Sequence, residues 1–147
     1  MQILTIFLVF LAGMVAPTQA GINSTLSRYV GSNFLAALVS FSVGTLALLG
    51  YALLLRLHFP LLRALSQGPW WMWLGGLCGA FLVTTTILAA PRLGATTMIG
   101  FLLAGQMIAS LILDHFGLLG YSEHAINVWR VLGVVFLASG VMLIRTF

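Results

Sequence analysis

Charged residues divide the chain into long apolar stretches. Each of the first four stretches has at least the roughly 20 residues that a helix needs to cross the ~30 Å hydrocarbon core of a bilayer. The fifth has only the 14 residues between Arg130 and Arg145, but arginine side chains can reach the headgroups and lengthen the usable span. The pattern predicts an all-α integral membrane protein, a single domain over residues 1–147, with five transmembrane helices at about 3–28, 33–57, 69–90, 93–114 and 127–146.

The composition indicates lipid rather than water as the main solvent. Of the 147 residues, 61% are hydrophobic and 5% are charged, whereas soluble domains carry roughly 25% charged residues. The six basic residues are all arginines and stand apart from one another, which argues against nucleic-acid binding. No Lys or Arg precedes Arg28, so we interpret the first stretch as a helix rather than a cleaved signal peptide.

Proline, glycine and tryptophan mark the predicted helix ends. In the turn Ala90-Pro91-Arg92-Leu93-Gly94, proline is expected to end the third helix and glycine to relax the start of the fourth. Trp70, Trp71 and Trp73 open the third helix, and Trp129 opens the fifth. These positions are typical of the aromatic belt at the membrane surface, and we prefer that interpretation to a ligand cage.

The arginines do not favour either orientation in the membrane. With five spans, the N-terminal side holds Arg56, Arg63 and Arg130, and the opposite side holds Arg28, Arg92 and Arg145. Orientation normally follows an excess of Lys and Arg on cytoplasmic loops, and three against three gives none. We therefore expect two copies to insert in opposite orientations and pair, although other features could still fix a single orientation.

Small residues predict where helices approach closely, because helix association in lipid depends on packing and interhelical hydrogen bonds. The third helix has a Gly-xxx-Gly step, and the fifth has two glycines one heptad apart. The glycines expected in helix packing or dimer contacts are Gly75, Gly76, Gly79, Gly133 and Gly140.

Three amides within the apolar stretches are the candidate substrate-binding residues, because polar groups at membrane depth need partners. Gln19 and Asn23 lie four residues apart on one helix face, just after Pro17, which cannot donate a hydrogen bond to the carbonyl of Gly13. The alternative is that they mark the polar exit of the first helix. Gln106 lies near the middle of the fourth helix, where it either meets substrate or bonds a neighbouring helix.

Asp114 and His115 close the fourth helix and are candidates for coupling transport to protons. The alternative is that they simply end the helix among the headgroups. His58, His115 and His124 have no ligand-like spacing with other donors, so we expect no metal. There is no pattern of a nucleophile with a base and no phosphate-binding loop, so we expect neither an enzyme nor a cofactor.

Five segments give the chain a resemblance to a known family. They are Gly13–Asn23 (GMVAPTQAGIN), Trp70–Gly79 (WWMWLGGLCG), Ala90–Thr97 (APRLGATT), Ala104–Gly120 (AGQMIASLILDHFGLLG) and Arg130–Gly133 (RVLG). With them the chain resembles the YdcZ-like family of the drug/metabolite transporter (DMT) superfamily. The resemblance implies a five-helix half-transporter, equivalent to half of the ten-helix inverted-repeat members, that works in oppositely oriented pairs in the bacterial inner membrane.

Two related classes of small membrane protein differ from this sequence at informative places. Small multidrug exporters place a glutamate in the first helix, and this first helix has no acidic residue, so we expect a neutral or anionic solute instead. Ser27-Arg28-Tyr29 and Val43-Gly44-Thr45-Leu46 resemble fragments of dual-topology fluoride channels. Those channels continue into an asparagine and have four helices, whereas here Ala47-Leu48-Leu49 follows.

The sequence thus predicts a subunit that moves a small solute or metabolite by alternating access in an antiparallel, dual-topology homodimer. Its expected partners are the bilayer, the solute and a second copy or a paralogous chain, without nucleic acid. The alternatives are a dual-topology ion channel and an accessory or structural subunit that needs a different partner.

Overall fold

The computed structural model describes residues 2–58, 60 and 65–147. In this part of the chain the long elements are five α-helices, each long and apolar enough to cross a membrane. They are α1 (Gln2–Val30), α2 (Asn33–Leu54), α3 (Leu74–Leu93), α4 (Ala95–His115) and α5 (Val128–Thr146), with short 3₁₀ turns at Trp70–Trp73 and Leu118–Gly120. The predicted all-α fold with five transmembrane helices is confirmed. Arg63 lies outside the described residues.

The chain forms two compact units, Met1–Pro91 and Arg92–Phe147. In the first, α1 turns directly into α2 through Gly31, whose φ of +74° suits a residue without a side chain. Ser32 caps α2 by accepting a hydrogen bond from the backbone N–H of Leu35 at 3.4 Å. The core of this unit consists of Ala36, Ala37 and Ile87, with Leu26, Val30 and Val83 packed around it.

The second unit is built from α4 and α5. Gly100 of α4 lies against Val141 of α5, which is buried. The connection between the helices folds back on α4, because the backbone N–H of His124 donates to the carbonyl of Asp114 at 2.7 Å. Asn127 then caps α5 by accepting from the backbone N–H of Arg130 at 2.9 Å. That the two units form one domain stays a prediction.

Two helix ends differ from the sequence prediction. Pro91 does not end α3, which continues to Leu93, because the proline ring already holds a helical φ and costs the helix only one backbone hydrogen bond there. The break falls at Gly94, whose φ is +78°. The second helix ends at Leu54 rather than at residue 57, because Arg56 adopts a left-handed φ of +51° and closes the helix with backbone bonds typical of a C-terminal cap.

The first helix runs without interruption through Pro17 to Val30. The proline therefore does not divide the helix into two halves. The polar residues that follow it stand on continuous helix, with Asn23 seven residues, or about 10 Å, from the last residue Val30. Gln19 and Asn23 consequently do not lie at the end of the helix.

Candidate functional site

A groove of about 320 Å³ lies between α1 and α2 and contains both predicted amides of the first helix. Gln19 and Asn23 line it from α1, and Ser40 lines it from α2. The remaining lining residues are Val15, Thr18, Ile22, Leu26, Val39 and Val43. The spacing of four residues thus brings the two amides to one concave surface, as a helix with 3.6 residues per turn requires.

Asn23 is the unusual residue of this groove. Its side chain is 4% exposed, and its Nδ2 is buried with no hydrogen-bond partner among the described residues. An unsatisfied buried donor costs about 1–3 kcal/mol, so native structures rarely leave one without a reason. An acceptor in the groove would reach this amide only after a change of conformation that uncovers the buried Nδ2.

Gln19 belongs to two grooves. Besides the first groove it borders a second, of about 260 Å³, that also contains Ser40 and Thr45. The rest of that lining is Phe41, Gly44 and Leu48. Among residues 2–58, 60 and 65–147, no charged side chain lines either groove, so the surface around Gln19 offers neutral donors and acceptors on an apolar background. Such a lining suits a solute that is bound by hydrogen bonds rather than by ion pairing.

Gln106 occupies the middle of α4, about 16 Å along the axis from Ala95 and about 13 Å from His115. Its side chain is exposed and makes no hydrogen bond among the described residues. Gln106 belongs to the second compact unit, whereas Gln19 and Asn23 belong to the first. Their union in one substrate site stays a prediction.

Asp114 forms an ion pair that joins the two helices of the second unit. Arg130 Nη2 in the first turn of α5 lies 3.4 Å from Asp114 Oδ2 in the last turn of α4. Arg130 Nη1 also donates to the carbonyl of His124 at 3.1 Å. His115 is held separately, because its Nδ1 accepts from the backbone N–H of Ile126 at 3.3 Å. The acid and the histidine of the predicted coupling pair therefore have different partners.

Sequence reasoning assigned Arg130 only to the membrane surface and missed this pairing. Twelve residues separate α4 from α5, which is short enough to bring the end of one helix to the start of the next. Asp114 was the only carboxylate beside a spanning segment. Arg130, the first arginine after the segment between α4 and α5, could therefore have been expected as the partner of Asp114.

The same ion pair stands at the mouth of a groove of about 440 Å³ between α4 and α5. Asp114, Ser110 and Met107 follow one another down one face of α4, and Arg130 and Gly133 lie on the facing side of α5. Leu111, Val134 and Leu137 complete the lining. The groove is thus polar at its mouth and apolar inside.

The predicted packing glycines have different surroundings. Gly79 faces Phe41, with an added Cβ 3.4 Å from the ring, so it serves helix packing within its unit. A Cβ at Gly75, Gly76 or Gly140 would meet no atom of the described residues within 4 Å. These three positions leave helix surface free for lipid or a second chain. Across residues 2–58, 60 and 65–147, no three His, Cys, Asp or Glu side chains come together as potential metal ligands.

Comparison with known proteins finds matches to inner membrane proteins. Residues 4–143 match the family described as "Putative inner membrane exporter, YdcZ". The inner membrane protein YdcZ of Escherichia coli (strain K12) is 34% identical over 79 residues, which cover 54% of this chain and 52% of that protein. The aligned region thus spans about half the length of the relative. No solved structure matches the chain.

The family match, the bacterial relative and the five apolar helices together make this a multi-pass protein of the bacterial inner membrane, in a family described as inner membrane exporters. Because the match covers nearly all of its residues, from 4 to 143, the chain belongs to the YdcZ family.

Proposed function

We propose that this protein exports a small neutral or anionic solute and binds it at Gln19, Asn23 and Gln106. The proposal rests on the buried Nδ2 of Asn23, which has no hydrogen-bond partner in the part of the chain that the structure describes and lies beside a groove between two membrane-spanning helices. A solute carbonyl or carboxylate oxygen would supply the missing acceptor. The free energy regained there favours the occupied site over the empty one.

The working unit is an antiparallel homodimer, or a pair with a paralogous chain, that corresponds to a ten-helix transporter. Equal numbers of arginines on the two sides of the membrane support insertion in both orientations. Each helix buries only 6% of its apolar window within the single chain, which leaves ample surface for a second copy. Gly75 and Gly76 offer open positions for such contacts, since an added Cβ at either meets no described atom within 4 Å.

Transport proceeds by alternating access, in which rocking of the paired chains exposes the amides to one side and then to the other. Asp114 and His115 are the proposed coupling residues. Protonation of Asp114 would remove its charge from the pair with Arg130 and loosen the contact between α4 and α5.

The decisive experiment on topology maps both termini in membranes. Cys78, which is exposed, is first replaced by alanine, and a single cysteine is then added at either end of the chain. A maleimide that cannot cross the membrane should label a fraction of each terminus from the periplasmic side of intact spheroplasts. Labelling of one terminus alone contradicts dual insertion, and full labelling of both termini contradicts five crossings.

The experiment on transport uses proteoliposomes loaded with radiolabelled urea, glycerol or lactate, and ethidium as a cationic comparison. Slow, saturable efflux of a neutral or anionic probe supports the carrier. Efflux of ethidium alone contradicts the proposed solute class. Fluxes far above the rate of a conformational cycle would identify a channel, and an absence of flux until a second protein is added would identify an accessory subunit.

A further inference from the structure

We propose that the groove between α4 and α5 binds a phospholipid whose headgroup carries a phosphate and a primary ammonium, as in phosphatidylethanolamine. The ion pair Asp114–Arg130 holds the headgroup, and an acyl chain lies in the apolar part of the groove. This groove is lined by none of the proposed solute ligands Gln19, Asn23 and Gln106, although it shares Asp114 with the proposed coupling pair.

The position of the groove matches that of a lipid. Its mouth lies at the last turn of α4 and the first turn of α5, beside the exposed Trp129, which is the level of the headgroups. From Asp114 to Met107 the groove follows α4 for seven residues, or about 10 Å, into the hydrocarbon. The polar mouth of the groove therefore matches the lipid headgroup, and its apolar interior matches the acyl chain.

Arg130 has donors left for a phosphate. A guanidinium carries five N–H donors, and Arg130 directs Nη1 to the carbonyl of His124 and Nη2 toward Asp114. Its side chain is 32% exposed, so the remaining donors can be reached from outside. Arginine binds phosphate through paired, parallel hydrogen bonds, which makes it the natural phosphate ligand at this mouth.

Asp114 is proposed to discriminate between lipids that have different headgroups. Its Oδ2 faces Arg130, its side chain is 30% exposed, and its Oδ1 has no partner among the described residues. A primary ammonium can donate a hydrogen bond to that oxygen, a choline headgroup cannot, and a glycerol headgroup adds no positive charge. The paired charges therefore favour phosphatidylethanolamine over phosphatidylcholine, and phosphatidylcholine over phosphatidylglycerol.

Gly133 leaves space in the groove for a lipid acyl chain. It lies on α5 between Arg130 and Leu137, and an added Cβ there meets no atom within 4 Å. A larger side chain at this position would project into the space that the acyl chain is proposed to fill. Gly140, one heptad further along α5, is equally open but does not line the groove. It is therefore the matched control.

The test is native mass spectrometry of the purified full chain in detergent, with equal amounts of the three lipids. The unmodified protein should retain phosphatidylethanolamine in preference to the other two. Arg130→Gln should weaken its binding about tenfold or more, given the usual strength of hydrogen bonds to charged groups. Arg145→Gln, which alters an arginine at the far end of α5, should change it little.

Asp114→Asn provides the sharpest outcome, because it removes the acid and leaves Arg130 with an uncompensated positive charge. The preference should invert, so that phosphatidylglycerol binds more tightly than phosphatidylethanolamine. Gly133→Leu should abolish retention of either lipid, whereas Gly140→Leu should not. Glycerophosphoethanolamine, which has the headgroup without chains, should not compete.

Equal retention of the three lipids by the unmodified protein overturns the proposal even if every variant fails to fold. Unchanged lipid binding in Gly133→Leu, together with loss of a chemical cross-link between two copies, would assign the groove to a second chain instead. Competition by glycerophosphoethanolamine would assign it to a soluble phosphate compound.

Discussion

Val141 lies so close to Gly100 that a Cβ on the glycine would stand 2.9 Å from Val141 Cγ2 and 3.0 Å from Cγ1. Both atoms belong to the side chain of a β-branched residue that is 5% exposed and stiff at χ1. The helices α4 and α5 therefore meet at a point where only glycine fits.

Gly100→Ala should destabilise the protein by about 1–3 kcal/mol, the usual cost of overpacking a filled site. Unfolding in detergent, followed by circular dichroism, measures the change. Gly105→Ala is the control, because a Cβ at Gly105 meets nothing within 4 Å. That variant should gain up to about 1 kcal/mol from helix propensity. Adding Val141→Ala should offset part of the loss, and a loss that Val141→Ala leaves unchanged would contradict the contact.

Asn23→Leu should separate stability from transport. Leucine has the same branching and number of side-chain heavy atoms as asparagine and has no donor to leave unsatisfied, so the free energy of unfolding should rise by about 1–3 kcal/mol. Saturable efflux from proteoliposomes should fall, because the proposed solute contact is lost. Ile22→Leu, a conservative change in the same groove, should leave both quantities nearly unchanged. A more stable variant with full efflux would remove Asn23 from the substrate site.

A double-mutant cycle of Asn23→Leu with Gln106→Leu tests whether the two amides bind one solute. If they do, the changes in apparent affinity should deviate from additivity by about 0.5–3 kcal/mol. The control pairs Asn23→Leu with Thr146→Val, since the hydroxyl of Thr146 bonds the carbonyl of Met142 in its own helix. Additive effects in both cycles would place Gln106 outside the site.

Removing arginines from one side of the membrane should make every copy insert in the same orientation. Arg92→Gln with Arg145→Gln leaves three arginines on the N-terminal side against one, and Arg56→Gln with Arg63→Gln leaves one against three. In each double variant, only one of the two termini should be labelled from the periplasmic side. Each double variant alone should show little efflux. Co-expression of the two forms should restore efflux. Full efflux from either form alone would contradict the antiparallel pair.

The spans could be predicted because charged side chains interrupt the apolar stretches at membrane spacing. The shared face of Gln19 and Asn23 followed from helical geometry alone. The unpartnered Nδ2 of Asn23 could not be predicted, because it depends on how α2 places Ser40 and its neighbours opposite α1. The end of α3 was misplaced because proline restricts a helix without always stopping it, and Gly94 decided the turn.

The pair of Asp114 and Arg130 shows the same limit at the other site. Each residue was identified at a helix end, but their contact depends on the path of the connection between the helices. Gly117 in a left-handed conformation turns the chain, and His124 bonds back to the end of α4. Spacing along the chain allows such a contact but does not specify which side chains it joins.

Because the helices differ in length, the free energy of the folded protein should depend on the thickness of the bilayer. The first helix has 29 residues and α5 has 19, a difference of about 15 Å at 1.5 Å per residue. Since both cross the same hydrocarbon layer, α1 must tilt or extend its ends among the headgroups, whereas α5 barely reaches from one surface to the other. A thinner membrane therefore strains α1 and relieves α5, and a thicker one does the reverse, so no single thickness suits both.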